Sequence, residues 1–158
     1  SNLNLQHSAY TMPRNASITT FLSNEIRVKV FNNMSDNRIK IQTENISISC
    51  VLNETESAKT VFGHLPIEGT VNTWGDEIYF STAISLDNEE NASDVVESGS
   101  LAYWPPGNAI CIFFGRTPAS IGDEPRAASP VNILGSIDGD EKIFRSVKSG
   151  SPIRLEVE

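Results

Sequence analysis

Apolar and polar residues alternate along much of this chain with the period of a half-buried strand. Ile26, Val28 and Val30 alternate with Arg27 and Lys29, and Ile39 and Ile41 with Arg38, Lys40 and Gln42. Ile46, Ile48, Cys50 and Leu52 alternate with Asn45, Ser47, Ser49 and Val51. Successive side chains of a strand point to opposite faces, so this spacing lays one apolar face on a core. The polar cluster Asn32-Asn33-Met34-Ser35-Asp36-Asn37 reads as a turn, and the early part as an antiparallel meander. Residues 1–20 are polar and aperiodic and contain Pro13, which predicts an arm outside the core.

The period then changes. Ala58, Val61, Phe62 and Leu65 recur at helical spacing, Asn53 is placed to cap, and Glu56 stands three residues later in a capping-box position. Pro66 ends the run, which predicts a helix over about 54–64. Strand period returns in Gly69–Trp74 and Ile78–Ala83, on either side of a Gly75-Asp76 turn. The acidic stretch 85–98 reads as a loop with one helical turn near Asp94–Val96. Leu101–Trp104 is strand-like, and Pro105-Pro106-Gly107 ends it. The unbroken apolar run Ala109–Phe114 predicts a central strand buried on both faces. Residues 117–130 read as loop, Val131–Ile137 as strand and Asp138-Gly139 as a turn. Ile143, Phe144 and Val147 predict a second short helix, and Ile153, Leu155 and Val157 a closing strand.

Roughly eight or nine short strands, two helices and no βαβ repetition predict a mainly β fold. A closed or nearly closed antiparallel barrel suits it, because closure removes exposed edges. A length of 158 residues, 39% of them hydrophobic, suits one domain with one core. No run of about 18 apolar residues is present, so the sequence predicts no membrane span, and no apolar leader stands at its start. The first residue is Ser rather than Met, which reads as a processed form. A soluble protein of the cytoplasm or an exported one fits equally.

The net charge of −8, with no basic stripe, argues against nucleic acid as a partner. Cys50 and Cys111 lie in strand-like runs and make no zinc motif, so they read as two buried thiols, while a disulfide would need facing strands and an oxidising compartment, neither of which the sequence fixes. Asn-x-Ser/Thr triplets at Asn15, Asn33, Asn45, Asn53 and Asn91 matter only in a cell that exports and glycosylates the chain.

Three pieces carry more than pattern. They are Val71-Asn72-Thr73-Trp74-Gly75-Asp76-Glu77-Ile78-Tyr79-Phe80-Ser81-Thr82, Tyr103-Trp104-Pro105-Pro106-Gly107 and Cys111-Ile112-Phe113-Phe114-Gly115-Arg116-Thr117-Pro118. From about Arg38 to Val157 the chain resembles a small bacterial and archaeal family of cyclophilin-like domains of unknown function. The resemblance implies a closed eight-stranded cyclophilin-like antiparallel barrel with two short helices over residues 38–158. Residues 1–37 would then be an extension, an arm plus one strand.

Such a fold brings prolyl cis–trans isomerisation to mind. Its barrier of about 18–20 kcal/mol comes from amide resonance. Lowering it takes an apolar pocket for the ring and a donor, normally a guanidinium, that favours the twisted amide. True cyclophilins supply an Arg near a Phe, a Gln-Gly-Gly-Asp run, a pocket Phe, and a downstream Trp and His. Here residues 66–86 hold neither Arg nor Gln, Cys111 falls where the pocket Phe is expected, 117–130 lack Trp, and no His lies near Val131. An atypical isomerase with a different pocket is thus the alternative rather than the leading expectation.

Other chemistry finds little support. His7 and His64 are the only histidines, one in the arm and one at a helix end. A Cys111–His64 pair lacks any local signature, and Asp138, Asp140 and Glu141 lack a calcium-loop frame. Asp76 and Glu77 would point to opposite faces in a strand, whereas in a turn they would be able to converge. The sequence therefore predicts no catalytic residue, no metal and no cofactor.

What remains is a cleft for a peptide or small molecule, with Trp74, Tyr79, Tyr103 and Trp104 as walls and Glu77, Arg116 and Thr117 as polar groups. Within Tyr79-Phe80, and again within Tyr103-Trp104, one ring must face the core and the other away from it.

Overall fold

A computed structural model describes residues 37–158. The arm and the strand expected over 26–30 lie outside the described residues.

Strands β1 (Arg38–Thr43) and β2 (Ile46–Leu52) form the expected hairpin, with Ile39 opposite Cys50 and Ile41 opposite Ile48. Helix α1 (Glu56–Gly63) follows. Its N-cap is Thr55, whose hydroxyl accepts from Ala58 N at 3.1 Å, and not Asn53. Asn53 instead braces that cap, its Oδ1 accepting from Thr55 N and Oγ1. The helix ends at His64, whose Nδ1 lies 2.8 Å from Thr60 O. Ala58, Val61 and Phe62 are buried, so the apolar stripe does face the core.

Strands β3 (Ile67–Thr70), β4 (Asn72–Thr73) and β5 (Glu77–Ser81) come next. The helical turn expected near 94–96 is instead β6 (Ser93–Val95). It pairs with β9, so tertiary pairing outweighs the weak local signal there. After β7 (Ser100–Trp104) comes a single 3-10 turn, Pro105–Gly107, and then β8 (Ala109–Phe113). Strand β9 runs from Arg126 to Asp138, starting well inside the expected loop. A 3-10 helix at Glu141–Ser146 and β10 (Pro152–Val157) complete the chain.

Among the described residues ten strands form one sheet in the order β3-β10-β1-β2-β9-β7-β8-β5-β4, with β6 on β9. Every pairing is antiparallel. The expected closed ring of eight strands is corrected in both strand number and closure. The ladder is open, because its two ends, β3 and β4, are not bonded to one another. Those ends are consecutive in sequence and joined through Val71, a buried residue. One extended segment thus leaves β10 and crosses to β5, and a single strand cannot bond its own backbone across that step. Packing covers the step: a Cβ at Gly69 would lie 2.7 Å from Phe80 Cδ2, so only glycine lets the aromatic ring come so near.

The pleat sorts side chains into two clusters. The larger holds Ile39, Ile41, Leu52, Val61, Phe62, Ile78, Phe80, Leu101, Tyr103, Ile110, Ile112, Leu134, Phe144 and Leu155 among others. The smaller, on the opposite face of β5, β7, β8 and β9, holds Ala102, Cys111, Phe113, Ala127 and Val131, with Tyr79, Trp104 and Ile133 against it. As the alternation demands, Phe80 and Tyr103 go to the first and Tyr79 and Trp104 to the second. All five residues of β8 are buried, as expected of a central strand with both faces covered. Cys50 and Cys111 are both buried and free, one in each cluster.

Candidate functional site

The smaller cluster does not fill its side of the sheet. A cavity of about 220 Å3 remains, lined by Trp74, Glu77, Tyr79, Trp104, Ala127, Ala128 and Val131. Its walls come from three places, each held by backbone geometry.

The first is the turn between β4 and β5. Gly75 has φ of 65°, a value that favours glycine, and a Cβ there would lie 2.9 Å from Arg116 O. Trp74 N donates to Glu77 O at 2.9 Å, closing the turn. Asp76 N donates to Arg116 O at 2.8 Å, and Phe114 N donates to Asp76 O at 2.9 Å. The chain at Gly115–Pro118 therefore clamps the turn, setting Trp74 and Glu77 at the cavity. Asp76 turns the other way, to Arg145 at 3.4 Å, so it makes no pair with Glu77.

The second wall is the end of β7. Trp104 lies over Gly107, where an added Cβ would come within 2.7 Å of the indole. Its Nε1–H donates to Ser129 Oγ at 2.7 Å. The Trp-Pro-Pro-Gly sequence thus folds back under its own ring and fixes it.

The third is the start of β9, bearing Ala127 and Ala128. Thr117 holds it: its Oγ1 donates to Arg126 O at 2.5 Å and accepts from Ala119 N at 3.1 Å. Arg126 is gripped by Asp94 at 2.9 Å and Glu124 at 3.1 Å.

Four of the seven residues singled out from sequence, Trp74, Glu77, Tyr79 and Trp104, meet at this cavity. Three do not. Tyr103 is fully buried on the opposite face, where its hydroxyl donates to Ile84 O at 2.6 Å and accepts from Leu86 N at 3.1 Å. Arg116 is exposed and lies 3.7 Å from Asp123. Thr117 is buried and braces the loop rather than lining the cavity. The three lining residues the sequence left unmarked, Ala127, Ala128 and Val131, are small or aliphatic. Ala127 and Ala128 fall in a segment read as loop, and they carry no chemical signal.

Glu77 is the one charged residue among those lining the cavity, and it is 5% exposed. Burial raises its pKa to about 7, while a hydrogen bond from the Cys111 thiol acts in the other direction. Its Oε1 has no hydrogen-bond partner among the described residues. Cys111 sits directly opposite Tyr79 on the same face. Burial pushes its thiol up, and so does the neighbouring Glu77, so it is no nucleophile at neutral pH. Helix α1, which His64 ends, packs into the other cluster, so a Cys111–His64 pair finds no support.

Among the described residues no cluster of His, Cys, Asp and Glu could hold a metal ion. Asp138 pairs with Arg38, Asp140 caps the second helix by accepting from Lys142 N at 3.0 Å, and Glu141 accepts from Ser98 Oγ at 2.7 Å. Nor is any helix among the described residues long and apolar enough to cross a membrane.

An antiparallel sheet buried on both faces, with two short helices packed on it, defines a class to which known proteins also belong. The family described as Cyclophilin-like matches residues 37–156, and the chain belongs to that family. It is similar in structure to a hypothetical protein of Archaeoglobus fulgidus solved in solution. The TM-score is 0.67 and the identity 40%, over 78% of this chain and 95% of that one. No curated protein matches this chain.

Proposed function

We propose that this cyclophilin-like domain is a non-catalytic module that binds a peptide or small molecule in the aromatic cavity. The observation that carries this reading is the pairing of apolar walls with one buried, under-bonded carboxyl group. Ligand sites are mostly apolar with a few placed polar groups, and a buried oxygen without a partner is costly unless something else supplies one. A volume of about 220 Å3 falls below the ~300–1,000 Å3 of drug-sized sites. It suits a small molecule or one side chain of a peptide. In this reading Trp74, Tyr79 and Trp104 grip the ligand, Glu77 orients it, and Thr117 keeps the wall of β9 in place. Arg116 stands outside, against Asp123. Residues 38–158 are the binding unit and residues 1–37 an extension to it.

The donor that prolyl isomerisation needs is not offered by the cavity's lining residues, none of which is an arginine. The decisive experiment couples two assays on the full chain. A screen of small molecules and short peptides, followed by tryptophan fluorescence and by amide shifts of Trp74, Glu77, Tyr79 and Trp104, should give ligands whose binding Trp74→Ala weakens. A protease-coupled assay on a panel of Xaa-Pro peptides should show no acceleration. Acceleration that falls in Arg116→Ala or in Glu77→Gln would overturn the non-catalytic reading and locate the reactive centre.

A further inference from the structure

The chemistry of the ligand can be narrowed, on the basis of the cavity being the binding site. Glu77 Oε1 is one of two buried side-chain oxygens without a partner among the described residues. The other, Asn37 Oδ1, lies at the first described position. The charged and titratable groups on the elements around Glu77 are already engaged. Asp76 in the turn before it goes to Arg145, and the Cys111 thiol on β8 donates to Glu77 itself. Arg126 at the start of β9 is held by Asp94 of β6 and by Glu124. Arg116 lies near Asp123, and Lys142 Nζ donates to Phe114 O at 3.3 Å. On β7, the Trp104 N–H is spent on Ser129. Tyr79 of β5 is the remaining titratable group at the cavity. Among the described residues no cation is left over to answer the buried carboxylate, and a chain of net charge −8 attracts cations from solution.

We propose that the cavity takes a small organic ammonium group, with an N–H donated to Glu77 and its alkyl part against Trp74, Tyr79 and Trp104. A carboxylate shielded from water and lined by electron-rich rings favours such a cation twice over. It gains a charge-assisted hydrogen bond, and aromatic faces attract positive charge. The Cys111 thiol keeps its place as a donor to the same carboxylate, so the ligand supplies the missing partner rather than displacing one.

Calorimetric titration of the full chain tests this with three probes of one shape, n-butylammonium, 1-butanol and butanoate. Above the pKa of Glu77, at about pH 8.5, n-butylammonium should bind at least roughly tenfold more tightly than 1-butanol, and butanoate least well. At about pH 5, where Glu77 is neutral, the preference for the ammonium should vanish. Glu77→Gln should remove the preference at about pH 8.5 as well, while 1-butanol still binds. Circular dichroism checks that this variant is folded, and if it is not, the pH series on the unaltered chain decides alone. Equal binding of the ammonium and the alcohol would sink the cation while leaving the apolar cavity as a binding site. Tighter binding of the alcohol or butanoate than of the ammonium at about pH 8.5 would equally overturn the proposal. No binding of any probe would overturn both this inference and the reading beneath it.

Discussion

Asn132 and Glu77 are both more than nine-tenths buried, on opposite faces of the same sheet, and the protein treats them differently. Asn132, opposite Tyr103 in β7, has every polar atom answered. Its Nδ2 donates to Ser57 Oγ at 3.1 Å and to Asp87 O at 2.9 Å, and its Oδ1 accepts from Glu89 N at 2.8 Å. Tyr103 beside it is served as fully. These bonds tie helix α1 and the acidic loop to the sheet. Glu77 has a thiol on one side and, beside an open cavity, an oxygen that none of the described residues answers. The larger cluster spends its polar groups on holding the fold, and the smaller keeps one in reserve. Neighbouring residues of one strand divide this labour: Tyr103 staples a loop, and Trp104 walls a cavity.

Truncation of the larger cluster should give the greatest effect. Phe80 is fully buried and packed against Gly69, so Phe80→Ala should cost about 3–5 kcal/mol in urea unfolding. A cost below about 1 kcal/mol would mean that this face is as loosely filled as the other.

Next comes the pH dependence of Glu77. Its ordinary value of 4.5 applies to the unfolded chain, and about 7 to the folded one. Below pH 4.5 both states hold the proton. Between 4.5 and about 7 only the folded chain keeps it, so stability falls as pH rises through that window and then levels off. The fall amounts to something on the order of 3 kcal/mol, and Glu77→Gln should abolish it. Parallel stability–pH curves for the two proteins would show that Glu77 is not buried unpaired, and the contrast with Asn132 would collapse.

The smallest effect isolates a single hydroxyl. Tyr103→Phe leaves Ile84 O and Leu86 N without their partner and should cost about 1–2 kcal/mol. Ligand binding on the far face should stay unchanged. A loss of binding in Tyr103→Phe would mean that the two faces are coupled through β7.

Much of the fold was legible before any coordinates. Strict alternation in Ile39–Ile41 and Ile46–Leu52 placed a hairpin, and the unbroken run Ala109–Phe113 placed the central strand. Where the reading failed, the local signal was weak or ambiguous. Ser93–Val95 has no periodicity of its own and becomes a strand because β9 lies beside it. Asn53 and Thr55 are both good caps, and the choice fell to Thr55 because the Asn53 amide is drawn to Ile133 O at 2.8 Å. Of the four rings singled out for their clustering with Gly, Pro and acidic residues, Trp74, Tyr79 and Trp104 line the candidate cavity and Tyr103 does not. Arg116 and Thr117 carry side chains as suggestive as that of Glu77, yet they ended on the surface and in a brace.

The amino-acid order by itself determined which residues alternate, and hence that Tyr79 and Phe80 take opposite faces, as do Tyr103 and Trp104. Pleating is a local property of the backbone, so that parity survives any arrangement of the strands. Only the tertiary structure decided which side would be packed full and which would keep a cavity. That depends on the start of β9, held by Thr117 and Arg126, and on the approach of Gly115–Pro118 to the Trp74 turn, contacts that span up to 40 positions of chain, as from Asp76 to Arg116. The raised pKa of Glu77 has the same origin, because desolvation comes from neighbours distant in sequence and no pattern of alternation encodes it.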